Sequence, residues 1–156
     1  MGITRSNPHQ FDDLAERAAE AIRKEMEAAF AYLGEQCVAR IRDRSAEESW
    51  IDHTGNLRSS IGYAVYGYGR KLVESTFETV LGGDEGSARG KRYVTSLAHQ
   101  YATTIALVVV AGMSYADYVE SINNKDVLAS TELWARSVVK GYIQQALNKA
   151  MKSITK

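Results

Sequence analysis

The residues able to do chemistry are few and scattered. Three histidines, His9, His53 and His99, stand far apart, and none sits in an H-x-x-x-H or H-E-x-x-H frame that would hold a metal. Asp52-His53 lies close before Ser59-Ser60, which raises the chemistry of a serine nucleophile with its base. That chemistry needs a nucleophile within about 3.2 Å of the base, an orienting group and an oxyanion site. No G-x-S-x-G elbow is present, and adjacent residues such as Asp52 and His53 point apart. The expectation is a loop with capping side chains, and no catalysis.

Gly82-Gly83-x-x-Gly86 precedes Arg89, Lys91 and Arg92, a composition that could cradle a phosphate. It lacks the G-x-x-x-x-G-K-[ST] spacing, so residues 82–90 read instead as a flexible loop leading into a solvated basic helix. Tyr63, Tyr66 and Tyr68 could stack on bases, but tyrosines so placed more often cover a sheet or an interface. Cys37, the one cysteine, lies on an apolar helix stripe and reads as a small buried hydrophobe. It allows no intramolecular disulfide and no cysteine-type zinc site.

These residues are carried by a simple order of elements. Asn7-Pro8 reads as a cap and first helical position, with Asp12 and Asp13 expected in the first turn. Phe11, Leu14, Ala18, Ile22, Met26, Phe30, Leu33, Cys37 and Ile41 step by three or four, predicting one helix over 8–44. At 1.5 Å per residue it is about 50 Å long, more than a small core can cover, so part of it is expected to pack on another subunit. After a loop at 45–58 the period falls to two, predicting a hairpin over 59–81 with its turn in 66–71, where Gly67 and Gly69 allow positive φ.

A helix is expected over 88–101 and a central strand over 104–112, apolar on both faces. A short irregular or helical segment follows at 114–121, then an edge strand at 126–128. A last helix over 130–154 is read as capped by Ser130, with Lys149, Lys152 and Lys156 near its end. The fold class is α+β: a small, mostly antiparallel sheet of hairpin plus central strand. A long N-terminal helix, a short middle helix and a C-terminal helix pack on it, all in one domain, 1–156.

The chain has 156 residues, 45% hydrophobic and 24% charged, an ordinary composition for a globular domain. Lys+Arg and Asp+Glu are both 19, which argues against non-specific nucleic-acid or anionic-membrane binding. The first ten residues lack the apolar core of a signal peptide, and the longest apolar run, 105–111, is far short of a membrane span. A soluble protein made inside a cell is expected.

Two blocks carry a resemblance. One is Trp50-Ile51-Asp52-His53-Thr54-Gly55-Asn56-Leu57-Arg58-Ser59-Ser60-Ile61, with T-G-N-L-R leading into a strand. The other is Gly112-Met113-Ser114-Tyr115-Ala116-Asp117-Tyr118-Val119-Glu120, a Y-A-x-Y-V-E segment after a strand. With the long first helix, the hairpin and the last helix, they resemble the tailed-phage head–tail joining proteins, neck or tail-completion components. The specific residues span about 25 positions, and the segment 121–128 after Y-A-x-Y-V-E departs from the small pair common in that family.

The resemblance implies a structural virion protein without cofactor or catalysis, a homo-oligomeric and hexameric ring at the neck. Its implied partners are head-side connector or portal proteins on one side and tail tube or tail terminator proteins on the other, with no membrane and a passing contact with DNA in the lumen. It implies a protein made in the host cytoplasm and resident in the virion. Interface or structural roles fall on Thr54, Gly55, Asn56, Leu57, Arg58, Tyr115, Tyr118 and Glu120. From the residues themselves, Thr54 and Asn56 are expected to satisfy local backbone groups, Gly55 to turn with positive φ and Leu57 to anchor the loop. Arg58 is expected to project outward, and Tyr115, Tyr118 and Val119 to pack on one helical face. The alternative is a small intracellular protein-binding or regulatory module that dimerises through its long helix.

Overall fold

The computed structural model describes residues 7–44, 50–121 and 125–156. Helix α1 spans Pro8–Arg42. The Asn7 side chain accepts from the His9 amide at 3.2 Å, and Pro8 follows where its missing N–H costs nothing. No acidic residue falls in its first turn, so Asp12 and Asp13 lie one step too far along to meet the helix dipole there. A short helix α2, Asn56–Ser59, leads into strand β1, Ile61–Gly67, and then β2, Arg70–Glu74. Helix α3 is Asp84–Ser96, followed by a 3-10 turn at Ala98–Tyr101, strand β3 at Ala106–Ala111, helix α4 at Ala116–Ser121 and helix α5 at Ala129–Ile154. The fold is α+β, with a three-stranded antiparallel sheet in the order β2-β1-β3.

The central strand is therefore β1, and 104–112, expected in that place, supplies the edge strand β3. Its apolarity on both faces has a different source: α1 packs over one face of the sheet and α3 over the other. Every residue of β1 is buried for the same reason. The small residues alternating along it, Gly62 and Ala64, leave room on the α3 side: a Cβ at Gly62 would stand 2.3 Å from the Phe77 ring. Tyr63 faces α1, donating from its hydroxyl to Glu35 Oε1 at 3.0 Å. Tyr66 faces α3, donating to the Val94 carbonyl and stacking on Tyr101 at 5.2 Å between ring centroids. Burial pushes the Tyr66 hydroxyl up to about 12. Two of the three tyrosines are thus core residues, and Tyr68 alone is exposed.

The hairpin turns at Tyr68-Gly69, whose φ values of 55° and 76° are both left-handed, as a two-residue turn matching strand twist requires. Gly67 is not left-handed, so the position assigned to it falls to Tyr68. The guanidinium of Arg23 lies 4.7 Å above the Tyr68 ring. The second strand ends at Glu74 rather than continuing to 81. Ser75 closes the pairing, its amide donating to the Tyr63 carbonyl and its hydroxyl accepting from the Tyr63 amide, both at 3.0 Å. The chain then leaves the sheet through residues 75–83, with Phe77 and Leu81 at φ 51° and 52°. A period-two pattern marks apolar spacing without marking where backbone pairing stops.

The strand expected at 126–128 is not formed. Residues 125–128 instead lead into α5, and Ser130 is inside its first turn rather than its cap. Helix α5 runs antiparallel to α1: Arg40 lies over the Trp134 ring, Tyr142 donates to Gln36 Oε1 at 3.0 Å, and Tyr32 meets Tyr142. The main core gathers Phe30, Val38, Ile41, Trp50, Leu57, Ile61, Val65 and Val127. Cys37 is buried there, its thiol pushed up chiefly by burial. No helix among the described residues is long and apolar enough to cross a membrane.

Candidate functional site

The two sequence blocks meet in space. Trp50, Thr54 and Leu57 of the first line a cavity of about 540 Å³ together with Tyr115 and Val119 of the second. Asp52 organises the first block: one carboxylate oxygen accepts from the Gly55 amide at 2.9 Å and the other from the Arg58 amide at 3.1 Å. These are the orphan N–H groups at the start of α2, and a carboxylate is the natural acceptor for them. Gly55 has φ 74°, as expected for its turn. It needs glycine for a second reason, because a Cβ would stand 1.9 Å from the Val80 carbonyl oxygen.

Thr54 Oγ1 accepts from the Asn56 amide at 3.3 Å, the local bond foreseen for it. Asn56 reaches further: its Oδ1 accepts from the Gly86 amide of α3 at 3.1 Å. Leu57 is buried and anchors the turn. Arg58 does not project outward. It turns inward to donate to the Arg42 carbonyl, lies 3.8 Å from Asp52, and covers the Trp50 ring at 5.6 Å. A guanidinium has five donors and no acceptor, so it turns to the carbonyl of Arg42 and the carboxylate of Asp52 that lie inward of it.

Asp52, His53 and Ser59 form no relay. Asp52 is held by its two amides, and Ser59 Oγ accepts from the Val80 amide at 2.9 Å. Among the described residues no cluster of three His, Cys, Asp or Glu side chains could hold a metal.

In the second block Tyr115 borders the shared cavity, and burial, reinforced by the Asp52 charge, raises its hydroxyl above the usual range. Tyr118 is 68% exposed, so it does not share a packing face with Val119, which is half-buried. Glu120 has a defined task within the chain: its Oε1 accepts from the Leu128 and Ala129 amides at 3.1 and 2.7 Å. Asp126 Oδ1 accepts from the Ser130 amide at 3.1 Å. Two carboxylates from outside the helix thus cap α5 in place of Ser130. Burial of Asp126 would raise its pKa, but hydrogen bonds from Ser130 and Arg44 outweigh that and hold it below the usual range. The segments 45–49 and 122–124, part of the expected first loop and of the departure after Y-A-x-Y-V-E, lie outside the described residues.

Residues 84–90, expected as flexible loop, are the first turns of α3, with Gly86, Ser87 and Gly90 buried. The glycines serve close approach. A Cβ at Gly86 would stand 2.0 Å from the Asn56 carbonyl oxygen, one at Gly83 2.3 Å from the Gly55 oxygen, and one at Gly112 2.6 Å from Gly90 Cα. This backbone junction of α2, α3 and the end of β3 was missed as a site. Its signal was the four-residue spacing of Gly86 and Gly90, one narrow face of a helix. The same packing rules out a phosphate cradle there, since the Gly86 amide already donates to Asn56.

At the other end of the molecule α1 overhangs. Residues 7–17 are all exposed, and the first buried side chain is Phe30. Phe11 is 70% exposed and Leu14 48%, on the stripe that Met26, Phe30 and Leu33 continue into the core. No family model, curated protein or solved structure matches the chain.

Proposed function

We propose that the chain is a structural component of a tailed-phage or prophage particle, joining head to tail at the neck as a homo-oligomeric, hexameric ring. The observation that carries the assembly half of this reading is the overhang of α1. An apolar stripe that runs off the end of its own core leaves two large side chains in water, and a second protein surface would remove them. The neck assignment rests on the T-G-N-L-R and Y-A-x-Y-V-E blocks and the element order around them. Gly55, Asn56, Leu57, Arg58 and Glu120 build the scaffold in this reading, while Thr54 and Tyr118, both exposed, remain available to neighbours.

Its function is shape and contact area, with connector or portal proteins above, tail tube or terminator proteins below, and DNA passing through the lumen. A net charge of zero suits many copies packed around one axis, because self-repulsion is small. Light scattering on the purified chain, with negative-stain imaging, tests the reading: closed rings, alone or with neck partners, are expected. A two-fold dimer that never closes into a ring would favour a regulatory module dimerising through its long helix.

A further inference from the structure

We infer that the overhanging end of α1 seats in the groove between β3, α1 and α5 of a neighbouring copy, a head-to-tail contact repeated around the assembly. The inference rests on the reading that the chain assembles with itself, and it names the two surfaces that meet. The groove is a cavity of about 620 Å³ lined by Ile105, Leu107, Val109, Leu128, Ala135 and Val139. All six are half-buried, over a floor of buried Leu33. It follows the outer edge of β3, which is the last strand of the sheet.

The sequence of that strand, Ala-Leu-Val-Val-Val-Ala, carries no charge and no proline, the usual devices that keep an edge from pairing. An edge left so bare needs a cover. The overhang has the chemistry of one: an amphipathic helix presenting Phe11 and Leu14, the way helices enter apolar grooves. A chain cannot fill its own groove with them. Leu33 lies 19 residues from Leu14 along one unbroken helix, roughly 28 Å away at 1.5 Å per residue.

Charge agrees with this occupant. Residues 8–20 hold Asp12, Asp13, Glu16 and Glu20 against Arg17, a net of −3. The part of helix α5 that walls the groove, residues 129–140, holds Arg136 and Lys140 against Glu132, a net of +1. The surface that would enter is acidic, and the wall that would receive it carries a small basic excess. Two different patches meeting make a heterologous contact, which closes into a ring when the rotation between copies allows.

Disulfide trapping between two tagged full-length variants tests the pairing. Leu14→Cys is exposed and Ala135→Cys is a small change on a half-buried residue, so both chains should fold; buried Cys37 gives the background in wild type. The expected result is a disulfide-linked pair in the mixture of the two variants and none with either alone. A pair from Leu14→Cys alone means symmetric helix pairing, and one from Ala135→Cys alone means symmetric groove pairing; either overturns the inference. Rings without any trapped pair overturn it too, while leaving the ring reading intact. A chain that stays monomeric with and without partners removes both. Charge reversal gives a second check: Lys140→Glu should weaken self-association about tenfold, and adding Asp12→Lys with Asp13→Lys should restore it.

Discussion

The glycine junction and the overhang of α1 are opposite solutions to the use of surface. At the junction, α2, α3 and the end of β3 approach until backbone touches backbone, and nothing larger than hydrogen fits at Gly55, Gly83 or Gly86. At the overhang, fourteen residues from Asn7 to Glu20 contribute only one that is even half-buried, Ala18. The junction spends sequence on holding the T-G-N-L-R turn against the domain. The overhang spends it on a surface that its own domain does not use. Stability should therefore be concentrated at one end and assembly at the other, and each can be perturbed without the other.

The largest effect should come from Gly86→Val. Its Cβ would stand 2.0 Å from the Asn56 carbonyl oxygen, and neither backbone can retreat without breaking the α2–α3 contact. A loss of about 3 kcal/mol or more is expected, a large share of ordinary domain stability, read from the urea midpoint at unchanged slope. An unshifted midpoint would show that the junction is looser than described. Gly55→Val combines left-handed strain with a contact on Val80, which lies outside helix and strand and can shift where two helices cannot, and should cost about 2–3 kcal/mol by the same measurement.

Next comes the cap of α5. Removing the Asp126 carboxylate with Asp126→Ala should cost about 1–2 kcal/mol. It should also flatten part of the acid limb. The folded-state pKa of Asp126 is depressed, so its contribution is present above the unfolded value and lost as pH falls through the folded one. Thermal melts of wild type below the ordinary aspartate range should fall faster with acid than those of the variant. Parallel curves would mean that the carboxylate is not stabilised by folding.

The smallest effect on the fold belongs to the overhang. Phe11→Asp with Leu14→Asp should change the stability of the single chain by less than about 0.5 kcal/mol, because both side chains are exposed. The same pair should abolish self-association in light scattering. A melt lowered by several degrees would place these residues in the fold of one chain and erase the contrast.

Much of the fold is legible in the sequence, for reasons particular residues show. The three-to-four spacing from Phe11 to Ile41 marks α1 because the stripe survives where the core ends. Gly55 is legible because an isolated glycine in a polar turn has a conformational reason. Gly86 and Gly90 were misread because the same residue also serves close packing, and only the partner backbone distinguishes the two uses. The edge position of β3 was hidden because helices cover both of its faces, which gives an edge strand the composition of a central one. Arg58 and Glu120 look like surface charges in sequence. Their inward bonds, to the Arg42 carbonyl and to the first amides of α5, join segments whose meeting no local pattern announces.

On the proposed reading the source genome is that of a phage or prophage, and the most direct measurement deletes the chain there and images what is made. The account predicts filled heads and separate tails without the chain, finished particles when the wild-type chain is supplied, and labelled chain at the neck. It predicts separate heads and tails again when Phe11→Asp with Leu14→Asp is supplied instead. Finished, tailed particles in the complete absence of the chain would contradict it.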